Sequence, residues 1–252
     1  MRIIAITNQK GGCAKTTTVV NLAASLMELG KKVLVIDLDP QANSSQWLGG
    51  STADACSFRL LTDDTAIAEL IAPSSIEGVD LISASKELLV IEKVLAGELA
   101  VEGRLKRKLK NLSKDAYDFI LIDTPPMLGL LTMNACVAAN ELLVPVTTHV
   151  MTLSGVSQLI AKFNEITEVI NPNLRILGFL PSRVDARTRH SRDVLQSLND
   201  RFGEQVLKVS IRECIFLAEA PSFKESILSY KSKSSAAADF RELAKEVLSR
   251  NQ

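Results

Sequence analysis

The sequence predicts an α/β fold, a single doubly wound and mostly parallel sheet with helices on both faces, and three observations carry that expectation. Short apolar runs alternate with longer segments of helical period: 3–7, then 16–29, then 33–37. Runs such as Phe119-Ile120-Leu121-Ile122 are apolar at every position, which suits strands buried on both faces of a parallel sheet. The first run also passes through a glycine-rich loop straight into a helical pattern, the local order of a phosphate-binding βα unit.

Taken along the chain, strands are expected at 3–7, 33–37, 79–83, 117–123, 141–147, 174–180 and 206–210. Helices are expected at 16–29, 86–112, 129–139, 154–170, 189–202 and 236–250. Gly30 suits a left-handed cap at the end of the first helix, and Lys31 and Lys32 sit where the helix dipole favours cations. The last helix places Phe240, Leu243, Ala244, Val247 and Leu248 on one face, the spacing of a helix packed on a core. Residues 41–65 form the least regular stretch, with Gly49-Gly50-Ser51-Thr52 reading as a surface loop that could contact partners. With no internal repeat, low-complexity tract or long linker, one domain over 1–252 is expected.

Composition narrows the class. Hydrophobic residues make up 46% and charged residues 23% of 252, which excludes disordered and fibrous chains. Lysine plus arginine equal aspartate plus glutamate at 29 each, so attraction to polyanions must come from a local patch. Cys13, Cys56, Cys136 and Cys214 lie far apart without a CxxC, which fits neither a disulfide framework nor zinc-ligand spacing. No run approaches the roughly 18 apolar residues of a membrane span, and the chain is expected to be cytoplasmic.

The loop Lys10-Gly11-Gly12-Cys13-Ala14-Lys15-Thr16-Thr17 holds the expected chemistry. Its backbone N–H groups and the following helix N-terminus can wrap phosphates. Lys15 is expected at the β/γ-phosphates of ATP and the Thr16 hydroxyl on Mg2+. Magnesium held this way needs an acid at the end of a neighbouring strand, and Asp123 supplies it, followed by the rigid turn Thr124-Pro125-Pro126. Asp37 and Asp39 close another strand, and Asp39 is assigned to the γ-phosphate and the attacking water. Cys13 reads as a small space-filling residue in the loop.

With these residues in place, the chain resembles the ParA/Soj/MinD group of deviant Walker ATPases, most closely the ParA/Soj partition proteins, which have a P-loop NTPase, SIMIBI-like fold. The matching pieces are Asn8 to Gly12 with Lys15 to Thr18, Asp37 to Gln41, Asp118 to Pro126, Asp185 to Arg189 and Glu219 to Ser222. The resemblance implies that Lys10 reaches across a homodimer to the partner's nucleotide, so that two ATPs are sandwiched between subunits. It further implies slow ATP hydrolysis, non-specific DNA binding in the ATP state, and reset by a ParB-like or cargo-adaptor protein during plasmid or chromosome segregation. Arg183, Arg187, Arg189 and Arg192 are the candidate DNA contacts, which would associate the protein with the nucleoid.

Two departures stand out. Ala14 occupies a position where the family pattern has glycine, harmless at negative φ but costing roughly 1–2 kcal/mol if left-handed. Glu213 and Phe216 stand where partition proteins often carry basic residues, which weakens DNA contact or re-aims the surface at a protein. A MinD-like or cargo-positioning ATPase and a non-hydrolysing nucleotide-gated adaptor remain open beside the partition reading. The last helix packs on the core and is followed only by Asn251-Gln252, so no stable membrane anchor is expected.

Overall fold

The computed structural model describes residues 1–54, 56–148, 160–161, 163–168 and 171–250. Seven strands form one sheet: β1 (Arg2–Ile6), β2 (Val33–Asp37), β3 (Ala72–Pro73), β4 (Val79–Ile82), β5 (Phe119–Asp123), β6 (Glu141–Thr147) and β7 (Arg175–Ser182). Their order is β3-β4-β2-β5-β1-β6-β7, parallel throughout except for the short edge pair β3 and β4. The chain leaves β1 through the glycine-rich loop, enters helix α1 (Lys15–Glu28), and returns as β2 on the far side of β5. Register places Ile6 beside Asp123 and Asp123 beside Asp37, so three strands end level with one another. In an open parallel sheet that edge is where ligands bind.

Period-two alternation in the central strands explains why they read as continuously apolar. Ile4, Ile6, Val33, Val35 and Leu121 point to one layer, where they pack on Val19, Leu22 and Leu26 of α1 and on Phe240, Leu243 and Val247 of the helix Ser235–Ser249. Ala5, Leu34, Ile36, Ile120 and Ile122 point to the other layer, against Leu61, Leu105 and Ala135. Each such fully buried aliphatic side chain stabilises the fold by about 1.5–3 kcal/mol relative to exposure. The expected doubly wound sheet is present, with both faces covered.

Several expected elements lie close to their observed bounds, among them Leu130–Ala138 and Arg189–Phe202. The helix expected at 236–250 begins one residue early at Ser235, because the Ser234 hydroxyl accepts from the Ala237 amide at 3.1 Å and caps it. Gly30 takes φ 73° after α1, as its position suggested.

Two expectations fail for physical reasons. The helix expected over 86–112 is broken into short turns, Lys86–Val90, Ile91–Val94, Val101–Gly103 and Arg104–Leu109, with Gly97 and Ala100 left-handed between them. The strand expected at 206–210 does not form, although Val206 bridges Phe179. The Lys208 and Val209 amides instead donate to the Glu246 carboxylate at 2.9 Å each, so a side chain from the last helix replaces a ladder partner. Residues 41–65 are more regular than expected, containing helix α2 (Asn43–Trp47) and the helix Cys56–Thr62. Of the helix expected at 154–170, residues 160–161 and 163–168 are helical, and the rest lies outside the described residues.

Candidate nucleotide site

The loop after β1 wraps one end of a cavity of about 500 Å3. Its lining begins at Gly11 and runs through Gly12, Cys13, Ala14, Lys15 and Thr16 to Thr18. Asp39, Gln41 and Pro126 close a second side, and Arg183, Ile211, Cys214 and Leu217 a third. Lys15 lines the cavity, is only 8% exposed, and lies close enough for its charge to act on Asp39 and Asp123. Lys10 is half-buried just before the lining starts, with its amide donating to Asn8 Oδ1 at 3.1 Å.

Ala14 answers the question its sequence position raised: it is left-handed, φ 61° and ψ 28°, directly before α1. A methyl group there meets the strain that glycine avoids. Gly12 is also left-handed at φ 74°, so two residues of the loop take a conformation from which anion-binding nests are built. Ala14→Gly is expected to stabilise the protein by about 1 kcal/mol, a rise of roughly 2–4 °C in melting temperature for a chain of this size. Thermal denaturation measures it, and an unchanged or lower melting point contradicts the strain. Cys13 is buried, and burial pushes its thiol pKa up, as a packing residue should be rather than a reactive one.

Three carboxylates gather at the strand ends. Asp123 is fully buried, and its Oδ2 accepts from Thr16 Oγ1 at 2.8 Å and from Ser44 Oγ at 2.5 Å. Its Oδ1 is buried without a hydrogen-bond partner, a costly arrangement unless a cation completes it. Asp37, also fully buried, accepts from the Asp39 amide at 3.0 Å and from the Ser45 amide and hydroxyl at 2.9 and 2.7 Å. Asp39 sits on the cavity wall, and its Oδ1 accepts from the Gln41 amide at 2.9 Å. Ser44 and Ser45 were not singled out in the sequence, because they lie in the stretch that read as irregular. Two successive serines just beyond an Asp-Pro turn were the available signal.

Burial raises the pKa of all three carboxyls. For Asp37 the neighbouring Asp123 adds to the effect, and for Asp123 the Ser44 and Thr16 hydroxyls and Lys15 oppose it. A carboxyl whose folded-state pKa is raised takes up protons on folding. Stability is therefore highest near its unfolded value and falls as pH rises through the folded one, which is about 6 for Asp123 and about 8 for Asp37. The melting temperature of the nucleotide-free protein is expected to fall between about pH 5 and about pH 8. A profile that rises over that window contradicts the carboxylate pair.

The four candidate DNA arginines lie along β7's exit and the helix after it. Arg183, left-handed at φ 54°, pairs with Glu213 at 2.9 and 3.1 Å, so that departure meets an arginine of the candidate set. Arg187 pairs with Asp185 at 2.9 Å, and Arg189 approaches Asp193 at 3.7 Å. Arg192 donates to the Ala186 carbonyl at 3.1 Å. The side chains of Arg187 and Arg189 stay 90% and 89% exposed, where such pairs are weak. Phe216 packs edge-on to Tyr230, with Lys231 over its ring. Among the described residues, no helix is long and apolar enough to cross a membrane.

A glycine-rich loop between the first strand and helix, facing an aspartate at the end of the adjacent strand, defines a P-loop nucleotide-binding protein. Comparison with known proteins narrows the class. Residues 1–176 match the family model described as an AAA domain. The chain is 41% identical over 248 residues to the sporulation initiation inhibitor protein Soj of Bacillus subtilis, covering 98% of each. It is 40% identical to the chromosome-partitioning ATPase Soj of Thermus thermophilus, covering 100% of this chain and 97% of that one. The structure of a cobyrinic acid a,c-diamide synthase from Mycobacterium smegmatis with bound ATP analogue and magnesium superposes with a TM-score of 0.86. That protein is 35% identical, with 98% of this chain and 94% of that one covered. The chain belongs to the ParA/Soj-type branch of the ParA/MinD family.

Proposed function

We propose that this protein is a partition or positioning ATPase that dimerises on ATP, binds DNA non-specifically in that state, and is reset when a partner stimulates hydrolysis. The observation that carries the nucleotide site is Asp123: one oxygen is held by Thr16 and Ser44, while the other is buried and unpartnered, next to a cavity that Thr16 lines. That donor set suits Mg2+, a hard cation that takes oxygen ligands. Thr16 and Asp123 would hold the ion, which would neutralise charge on the ATP phosphates. The loop amides from Gly11 to Thr17 and the Lys15 ammonium bind the phosphates, and Asp39 orients the attacking water. The ATP-analogue and magnesium complex of the similar Mycobacterium smegmatis protein supports this ligand pair.

Lys10 stands at the outer end of the loop, where it would meet the nucleotide of a second copy. Triphosphate charge at a subunit interface needs a cation, and the ATP state supplies the full anion. The name of the Thermus relative, a chromosome-partitioning ATPase, supports chromosome partitioning as the process, in which the activating partner would be a ParB-like protein. One observation favours a second reading, an ATP-gated adaptor for another cargo: Arg183 and Arg187 already hold acidic partners.

Sedimentation with ATP and Mg2+ tests the proposal. Wild type is expected to double in mass, whereas Lys10→Ala binds ATP and stays a monomer. Adding a random DNA duplex is expected to give a complex that dissociates steeply as salt rises, since phosphate contacts release counterions. Dimers formed by Lys10→Ala contradict the shared site, and a dimer indifferent to DNA selects the adaptor.

A further inference from the structure

We propose that Ser44 is a positioning residue that couples the cation at Asp123 to the turn bearing Asp39. The inference rests on the ATP and magnesium reading above. Ser44 is fully buried on the first turn of α2, and its hydroxyl lies 2.5 Å from Asp123 Oδ2, the oxygen that Thr16 also holds. These two donors fix the carboxylate so that Oδ1 is the oxygen left to an outside cation.

The same short stretch is bolted to the sheet at its next residue. Ser45 donates to Asp37 Oδ2 at 2.7 Å and accepts from the Ala84 amide at 2.8 Å. Backward from Ser44, the chain has little freedom. The Ala42 amide donates to the Asp39 carbonyl at 2.8 Å, the Gln41 amide to Asp39 Oδ1 at 2.9 Å, and Ala42 is left-handed at φ 53°. Six residues from Asp39 to Ser44 therefore form one wound lever with a carboxylate on the cavity wall at one end and a hydroxyl on Asp123 at the other. A cation that draws on the Asp123 carboxylate changes the bond that Ser44 makes, and the lever carries the change to Asp39.

A reporter is built in. Trp47, the protein's single tryptophan, lies one turn further along α2, is 4% exposed, and donates from Nε1 to the Glu225 carbonyl at 2.7 Å.

The test measures ATP affinity of the full chain by equilibrium dialysis in EDTA and in Mg2+, with Trp47 fluorescence followed as Mg2+ is added to the ATP complex. In wild type, Mg2+ should tighten binding and shift the fluorescence. In Ser44→Ala the gain from Mg2+ is expected to drop about 10-fold to 100-fold, the usual loss when an outer-shell partner of a metal ligand is removed. ATP affinity in EDTA should stay within about 3-fold, and the fluorescence response to Mg2+ should vanish. Ser44→Cys keeps the volume with a weak donor and should show the same loss, which separates the hydrogen bond from packing; Ser44→Thr should recover it. An unchanged Mg2+ gain with an intact Trp47 response in Ser44→Ala or Ser44→Cys overturns the inference while leaving the ATP site standing. Failure of wild type to bind ATP overturns both.

Discussion

Lys15→Ala is expected to lower ATP affinity by at least about 30-fold, because truncating one member of a buried charge pair costs roughly 2–5 kcal/mol. Lys15 is the buried cation of the cavity lining, placed by the first turn of α1 with little access to bulk water. Its field also lowers the pKa of Asp39 and Asp123, opposing the rise that burial imposes on both. Removing the ammonium thus costs a phosphate contact and also leaves two carboxyls less able to ionise. Magnesium should then do less to restore affinity in Lys15→Ala than it does in wild type. Equilibrium binding of labelled ATP with and without Mg2+ measures both effects, and near-wild-type affinity in the variant would remove Lys15 from the phosphates.

The second large effect is on hydrolysis. Asp39→Ala is expected to slow ATP cleavage by about 100-fold or more, within the usual contribution of a positioned general base, while ATP affinity changes only a few fold. Asp39 has two duties that a single variant would confuse, since its Oδ1 also closes the turn by accepting the Gln41 amide. Asp39→Asn keeps an oxygen for that amide and removes the charge. The turn should persist in Asp39→Asn, so a slow Asp39→Asn enzyme assigns the loss to the carboxylate. A normal rate in Asp39→Asn would show that the residue acts only by shaping the loop. Either variant, stalled before cleavage, should accumulate as the ATP-bound dimer.

The central strands and the phosphate loop were legible in the sequence because both are local signals. Each strand is a run buried on both faces, and the loop is recognised by glycines placed between a strand and a helix. Legibility failed where distant side chains decide the backbone. Glu246 takes the amides of Lys208 and Val209, so an apolar run that reads as a strand ends without a ladder. Gly97 and Ala100 divide a stretch whose leucines and valines hold helical spacing over 86–112. The site shows the same division. Lys15, Thr16, Asp39 and Asp123 follow from loop chemistry and strand ends, whereas Ser44 and Ser45 matter through bonds to carboxylates on two different strands. The conformation of Ala14 is a property of the folded loop, and residue type alone left its sign open.

Calorimetric titration of ATP into the wild-type chain, with and without Mg2+, decides whether the loop is a nucleotide site. Saturable binding of one ATP per chain is expected, tightened by Mg2+ and weakened at least about 30-fold in Lys15→Ala. No saturable binding by wild type, or equal binding by Lys15→Ala, would contradict it.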